Sequence, residues 1–346
     1  MPRHCIVPPY LLREIAARAS GALRALALAS LAESDRIRVA RSASPPRPSI
    51  LRDTSRRAVY DARGTTALPG RLVRGNGDPP SGDVEVDEAY DGLGATYSLF
   101  HVAYGRHSID AHDMELDATV HYGTKYDNAF WNGRRMVFGD GDGRIFDRFT
   151  KAVDVIGHEL THGITAFEAK LAYAGEPGAL NESFSDVFGT LVKQRTLNHD
   201  ASAADWLIGA GLFMPGIHAK GLRSLAAPGT AYDDPRLGRD PQPAHMNEYV
   251  HTDDDNGGVH LNSGIPNHAF YLAAREIGGF AWERTGYIWY LALADKLRPK
   301  ARFADAAAAT AAVAIERHGA GSLEVQAVRR AWAQVGVSVE DVAPMG

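Results

Sequence analysis

Two histidines and a glutamate fall within five residues in His158-Glu159-Leu160-Thr161-His162, inside an apolar pattern formed by Val155, Ile156, Leu160, Ile164 and Phe167. That pattern has the period of a helix, on which positions i and i+4 share a face one turn apart, so both imidazoles can reach one cation. Glu159 is displaced by one residue and projects beside the cation, where a carboxylate can take a proton from water activated by the metal. Two imidazoles do not complete a catalytic zinc site, which ordinarily has three protein ligands and one open position. Glu182, at the opening of the helical pattern NESFSDVFGTLV, is the candidate third ligand. Asp186, one turn further, can accept the remaining ring N–H of a ligating histidine and set its tautomer. A closed structural zinc site fits less well, because such sites are rich in cysteine and the only cysteine is Cys5. Histidines that merely face solvent remain the alternative for the pentapeptide taken alone.

The elements that must hold these groups fall into two patterns. From Ile50 to about Thr150 the chain is rich in Gly, Asp and Tyr and carries alternating segments such as ATVHYG (118–123) and RRMVFGDGDG (134–143), which predict strands and tight turns. Within that stretch Ala89, Leu93, Tyr97, Phe100 and Tyr104 recur at helical spacing and predict one helix over 86–105. From Val153 onward helical patterns dominate. The expected fold class is α+β, with a strand-rich lobe over 50–152, a helical lobe over 153–346 and the chemistry in the cleft between them.

Residues 1–49 form a third region. Eight basic against three acidic side chains give them +5, while 29 basic and 39 acidic residues give the remainder −10. A basic head on an acidic body predicts a segment docked electrostatically, and SASPPRPS (42–49) predicts an exposed, cleavable linker because its prolines cannot continue a helix. The apolar stretch GALRALALASLA (21–32) is interrupted by Arg24 and reads as an amphipathic helix rather than a signal peptide or membrane span. The single cysteine excludes an intrachain disulfide. The mild net charge of −5, with both signs interspersed, argues against nucleic acid and membrane partners and leaves proteins, peptides and small molecules; a monomer is expected.

The segment VIGHELTHGITAFEAKLAYAGEPGALNESFSDVFGTLV (155–192) closely resembles the thermolysin family of zinc metallopeptidases. NAFWNGRRMVFGDGDG (128–143) resembles that family's substrate-edge strand, and DNGGVHLNSG (255–264) its second catalytic loop. The resemblance covers nearly everything from Ile50 onward. It implies a zinc-dependent neutral endopeptidase, cleaving on the amino side of bulky hydrophobic residues, with His158, His162 and Glu182 as ligands and Glu159 as general base. His260 and Tyr173 then stabilise the oxyanion, with Asp255 orienting His260 and with Asn181 and Asp186 behind the ligands. Asn128, the backbone of Ala129 and Arg223 hold the substrate main chain. Phe146, Phe149, Val155, Ile208, Leu212 and Leu222 form the pocket for the residue after the scissile bond.

Two departures accompany the resemblance. Asp154 and Asp205 stand where thermolysin-type members bind paired calcium ions, but Lys193, Leu207 and Ala210 replace further acidic ligands, so the double calcium site is expected to be absent. The runs FGDGDG (138–143) and HTDDDNGG (251–258) lack EF-hand spacing and read as hairpin-turn chemistry. The short head with CIVPPYLL (5–12) resembles the protealysin-type branch, which implies an inhibitory propeptide acting through Cys5, Pro8, Pro9 and Tyr10. Pro8 and Pro9 would stiffen an extended strand in the substrate groove. Cys5 would either place a thiolate on zinc or pack the head as a small buried residue. The family resemblance implies secretion, yet no convincing signal peptide precedes the head, so a cytoplasmic precursor is the alternative. Two other functions stay open. A zinc aminopeptidase would need an added acidic group for the substrate amine, and none is identifiable; a non-catalytic zinc or adhesion protein would have lost Glu159 or His260, and both are present.

Overall fold

A computed structural model describes residues 4–39 and 56–338; the Pro-rich run 42–49 and the expected new N-terminus near residue 50 lie outside the described residues. The head contributes β1 (His4–Cys5), α1 (Pro9–Arg18) and α2 (Gly21–Val39). The strand-rich part follows with β2 (Arg57–Asp61), β3 (Arg71–Arg74), α3 (Val84–Tyr104), β4 (Leu116–Val120), β5 (Ala129–Trp131) and β6 (Arg135–Phe138). The helical part begins with α4 (Val153–Phe167) and α5 (Gly175–Leu197), then two short hairpins, β7 (Leu207–Ile208) with β8 (Arg223–Ser224) and β9 (Asp233–Asp234) with β10 (Gly238–Arg239). It closes with α6 (Asp255–Asn262), α7 (Gly264–Ile277), α8 (Thr285–Leu291), α9 (Phe303–His318) and α10 (Leu323–Gln334). Among the described residues no helix is long and apolar enough to cross a membrane.

The predicted helix over 86–105 is α3, started by the Asp83 carboxylate accepting the N–H groups of Glu85 and Val86 and ended by Gly105 at φ 68°. The main sheet has the order β1-β5-β6-β4-β2-β3, with β4 parallel to both neighbours and the other pairs antiparallel. Strand β5 would be an edge, and the head covers it by adding β1. The GDGDG run is not a hairpin turn. β6 already has both its neighbours, so the chain leaves the sheet there, and Asp142 Oδ1 accepts the N–H groups of Arg144, Ile145 and Phe146 to turn it toward α4.

Helices α4 and α5 are buried along most of their length and carry the ligand candidates. Helix α5 starts at Gly175, earlier than the NESFS pattern suggests, because Pro177 sits in the first turn, where its missing N–H has no helical partner to lose. Glu182 therefore lies two turns inside a rigid helix rather than at its opening. Gly157 and Gly189 let the two helices approach. A Cβ on Gly189 would lie 2.5 Å from the Asp154 carbonyl oxygen, and one on Gly157 only 3.1 Å from the Gly189 Cα, so a side chain at either place would force them apart.

Candidate active site

The close helix pair brings His158 Nε2 to 3.0 Å from His162 Nε2, with the Glu182 oxygens 3.5 Å from each ring. A tetrahedral ion with bonds of about 2.0–2.1 Å separates its ligand atoms by roughly 3.3 Å, so the spacing suits zinc. The tautomers suit it as well. His158 Nδ1 lies 2.8 Å from Asp186 Oδ1, and His162 Nδ1 lies 2.8 Å from Asn181 Oδ1 and 3.0 Å from Ser185 Oγ. With those Nδ1 protons donated outward, both Nε2 atoms turn lone pairs toward each other and toward a carboxylate. The Glu182 Oε2 atom is buried without a hydrogen-bond partner. Converging lone pairs shielded from water repel unless a cation lies between them, so the three residues fit a zinc ion. In the ion's absence burial opposes charge on both rings. Asp186 and Glu182 outweigh it at His158, lifting that ring to about 9, while His162 falls to about 3.

Glu159 stands beside this triad, fully buried. Its Oε2 accepts the Trp131 N–H of strand β5 at 2.9 Å, and its Oε1 has no hydrogen-bond partner. Burial pushes the carboxyl up to about 8 against the opposing pull of His158 and the Trp131 N–H. On the other side the Tyr173 hydroxyl donates to Glu182 Oε1 and lies 3.3 Å from His260 Nε2. Asp255 holds the His260 ring at Nδ1, 2.7 Å away, and accepts the same residue's backbone N–H at 2.9 Å. Burial disfavours the charged ring, but Asp255 and Glu182 more than compensate and raise its pKa, which favours the form that can donate through Nε2. The DNGG run makes this geometry. Asp255, Asn256, Gly257 and Gly258 have φ of 53°, 54°, 85° and 73°, a left-handed turn that two glycines and an Asp-Asn pair tolerate better than other residues.

Arg223, wholly buried rather than a surface ion pair, donates through Nε and Nη2 to both Asp186 oxygens at 2.8 Å. Its Nη1 donates to the Ile6 carbonyl at 3.1 Å. The Ile6 N–H donates to the Ala129 carbonyl at 3.1 Å, and Asn128 receives the Val7 N–H at 2.9 Å and donates to the Val7 carbonyl at 3.2 Å. The three groups expected to hold a substrate main chain thus hold the head. Phe146, Phe149, Val155, Ile208, Leu212 and Leu222 are buried in the same core cluster as Ile6.

Of the two readings of Cys5 the packed one holds, while one expectation about the head needs correction. Cys5 is packed with Ile37, Tyr122, Tyr126, Phe130 and Val137, and it is not among the groups that converge on the metal position. Ile6 joins the main core cluster instead, so neighbouring side chains of the head enter two different clusters. Pro8 and Pro9 do not extend a strand: Pro8 is the N-cap of α1 and Pro9 its first residue, and Tyr10, in the first turn of that helix, lies near enough to Arg223 and Asp255 to feel their charges. Sequence reasoning also missed several partners. Asn267 donates to Asp186 Oδ2 at 2.9 Å, Ser185 approaches His162, Gln242 donates to the His260 carbonyl at 2.7 Å, and Ser34 of α2 accepts from Asn128 at 3.2 Å. Ser185 alone belongs to the NESFSDVFGTLV run; the others are brought in by distant segments.

The chain matches the sequence profile for the catalytic domain of thermolysin metallopeptidases over residues 47–166 and that for their alpha-helical domain over 169–337. An extracellular metalloprotease of Pectobacterium carotovorum is 52% identical over 336 residues, 96% of each chain. A thermolysin of Alicyclobacillus acidocaldarius is 39% identical over 81% of this chain and 50% of its own length. The solved precursor of protealysin, a metalloproteinase from Serratia proteamaculans, superposes with a TM-score of 0.89 at 53% identity, covering 97% of this chain and 100% of that one. With its ligand triad assembled and nearly its whole length matched, the chain belongs to the thermolysin family of metallopeptidases, as a protealysin-type member.

Proposed function

We propose that this chain is a zinc-dependent neutral endopeptidase that cleaves internal peptide bonds on the amino side of bulky hydrophobic residues and is made as a precursor inhibited by its own head. One observation carries the reading: the backbone of the head at Ile6 and Val7, with a bulky aliphatic side chain at Ile6, is held along β5 by Ala129, Asn128 and Arg223, groups that would otherwise be free for a substrate main chain near the His158, His162 and Glu182 triad. A groove that binds backbone on a sheet edge recognises polypeptide, and the apolar side chains that share the core cluster of Ile6 would select a bulky residue on the carboxyl side of the cleaved bond.

Bound zinc would supply Lewis acidity toward the scissile carbonyl and lower the pKa of water toward about 7. Glu159, with one oxygen anchored by Trp131 and the other unpartnered, takes the proton of the attacking water and later delivers it to the leaving amine. His260 and Tyr173 donate to the oxyanion, and Asp255 keeps His260 in the donating form. Arg223 and Asn128 fix the main chain on the far side of the bond and Asp186 holds both Arg223 and His158, so substrate alignment and metal geometry share one support. Lys193 supports a site without the double calcium pair, and extracellular relatives support secretion. The export route is a separate question from the chemistry.

Purified Glu159→Gln precursor is expected to stay full length and to be trimmed near residues 44–50 when active enzyme is added. A chelator should stop internal cleavage of casein, whereas serine-directed reagents should not. If a chain beginning at Ile50 folds and is no more active than the uncut precursor, the head is not an inhibitor. An Ile6→Asp precursor offers a milder check, with higher activity before processing.

A further inference from the structure

Away from the cleft, the outer face of α3, the start of β2 and the last turns of α5 border an open depression of about 740 Å³. Its lining includes Arg57, Arg195, His101, Tyr90 and Tyr97 and contains no aspartate or glutamate. Arg57 Nη1 donates to the Tyr90 carbonyl at 2.9 Å and the guanidinium lies 4.0 Å from the Tyr90 ring centroid, yet its Nε is buried without a hydrogen-bond partner. Arg195 Nη1 donates only to the neutral Ser98 hydroxyl, at 3.0 Å, and His101 Nδ1 is likewise buried and unpartnered. The space is shaped around Arg57, since a Cβ at Gly94 would collide with its guanidinium.

The contrast with other arginines is informative. Arg74, Arg106, Arg148 and Arg223 each pair with a carboxylate, and other arginines without such a pair, Arg144, Arg275 and Arg317 among them, are exposed, whereas Arg57 and Arg195 are half-buried and have no carboxylate partner among the described residues. Two guanidiniums and an imidazole around one depression, with buried nitrogens lacking partners, ask for an anion that brings several acceptor oxygens. The depression is in the size range of an organic ligand site and far larger than an inorganic anion needs. The body outside the head carries −10, so acidic polypeptides are repelled in general and need a local attraction to dwell on it.

We propose that this depression is an anion-binding exosite that takes acidic side chains of a polypeptide substrate. The assignment to a substrate rests on the endopeptidase reading; the assignment of an anion does not. Arg195 lies thirteen residues beyond Glu182 on α5, about 20 Å along the helix, so at least about six extended residues separate the two sites. A short peptide in the cleft cannot reach it, and a protein can.

The binding test uses the full-length, zinc-loaded Glu159→Gln chain and a fluorescein-labelled hexaglutamate peptide followed by anisotropy at low salt. Saturable binding is expected, weakened about tenfold or more in the Arg57→Gln/Arg195→Gln variant at unchanged Tm. Equal affinity in the two proteins overturns the site. Inorganic phosphate should compete only at far higher concentration than the peptide; displacement at equal concentration overturns the polypeptide assignment. With processed enzyme, the double variant should raise KM for an acidic protein substrate about threefold and leave kcat/KM for a short neutral peptide unchanged. A parallel change in both overturns the exosite. Binding requires no cleavage, so its failure rejects the exosite alone, whereas failure of the wild type to cleave any peptide rejects the endopeptidase reading.

Discussion

Helices α4 and α5 enclose two polar clusters and satisfy them in opposite ways. At the first, His158, His162 and Glu182 point lone pairs at a common centre and have no cation of their own. At the second, the Lys193 ammonium lies 2.9 Å from Asp154, 2.8 Å from Asp205 and 2.6 Å from the Leu207 carbonyl. An ammonium has three N–H donors, and these three acceptors engage them all. Burial disfavours the Lys193 charge, but the two carboxylates outweigh it and raise its pKa. A cation carried on the chain is permanent and leaves no vacant position, so this cluster can only stabilise. A cation taken from solution keeps an open side, so the other cluster can do chemistry. Calcium would need six to eight oxygens where an ammonium now stands.

The largest effects should come from the cluster that borrows its cation. Glu182→Ala is expected to lose both metal and activity, because two imidazoles hold zinc poorly; a stoichiometric zinc content by elemental analysis would exclude Glu182 as a ligand. Glu159→Gln should keep zinc and lose activity by roughly 10²–10⁴-fold, the range for removing a general base, and near-normal turnover would break the assignment.

The self-supplied cluster should respond in stability alone. Lys193→Met strands the buried Asp154 carboxylate and is expected to cost about 3–5 kcal/mol in urea unfolding, with kcat/KM nearly unchanged in the folded fraction. A loss below about 1 kcal/mol would show that the ammonium is dispensable. Wild-type Tm should rise by less than about 10 °C in millimolar calcium, and Lys193→Glu should make Tm more calcium-dependent.

The smallest effect belongs to a cluster whose cation is a proton. His121 lies 3.1 Å from Asp83 and 3.0 Å from Asp140, with Glu85 near by. The Asp140 hydrogen bond, opposed by partial burial and reinforced by Asp83, raises the ring to about 9. A raised folded-state pKa means the stabilisation is fully present below about pH 6.5, the unfolded value, and is lost as pH rises through about 9. The Tm gap between wild type and His121→Gln should therefore shrink from pH 6 to pH 10. A gap that widens over that range would contradict the charged-histidine account.

Legibility followed the distance over which each feature is encoded. The i, i+4 histidines and the α3 helix rest on local periodicity, and both stand where their spacing put them. The beginning of α5 is misplaced by sequence pattern because Pro177 reads as a breaker when its place in a first turn is unknown. The direction of Cys5 could not be read, because it depends on which of two alternating faces of β1 meets the core. Trp131, whose backbone N–H anchors Glu159, gave no signal, since any residue carries that group and only the sheet edge aims it.

By itself the sequence determined the chemical inventory: a ligand pair on one helical face, a base beside it and a basic head on an acidic body. These are properties of residue type and short-range spacing, which survive without a fold. Tertiary structure decided convergence and occupancy. It placed Glu182 and the His162 ring 3.5 Å apart across two helices, seated Ile6 in the main core cluster and Cys5 in a separate one, and gathered Arg57 and Arg195 with no carboxylate partner among the described residues. Those outcomes depend on helix approach and strand register, where one side chain at Gly157 or Gly189, or a slip by one residue in β1, would change which groups meet.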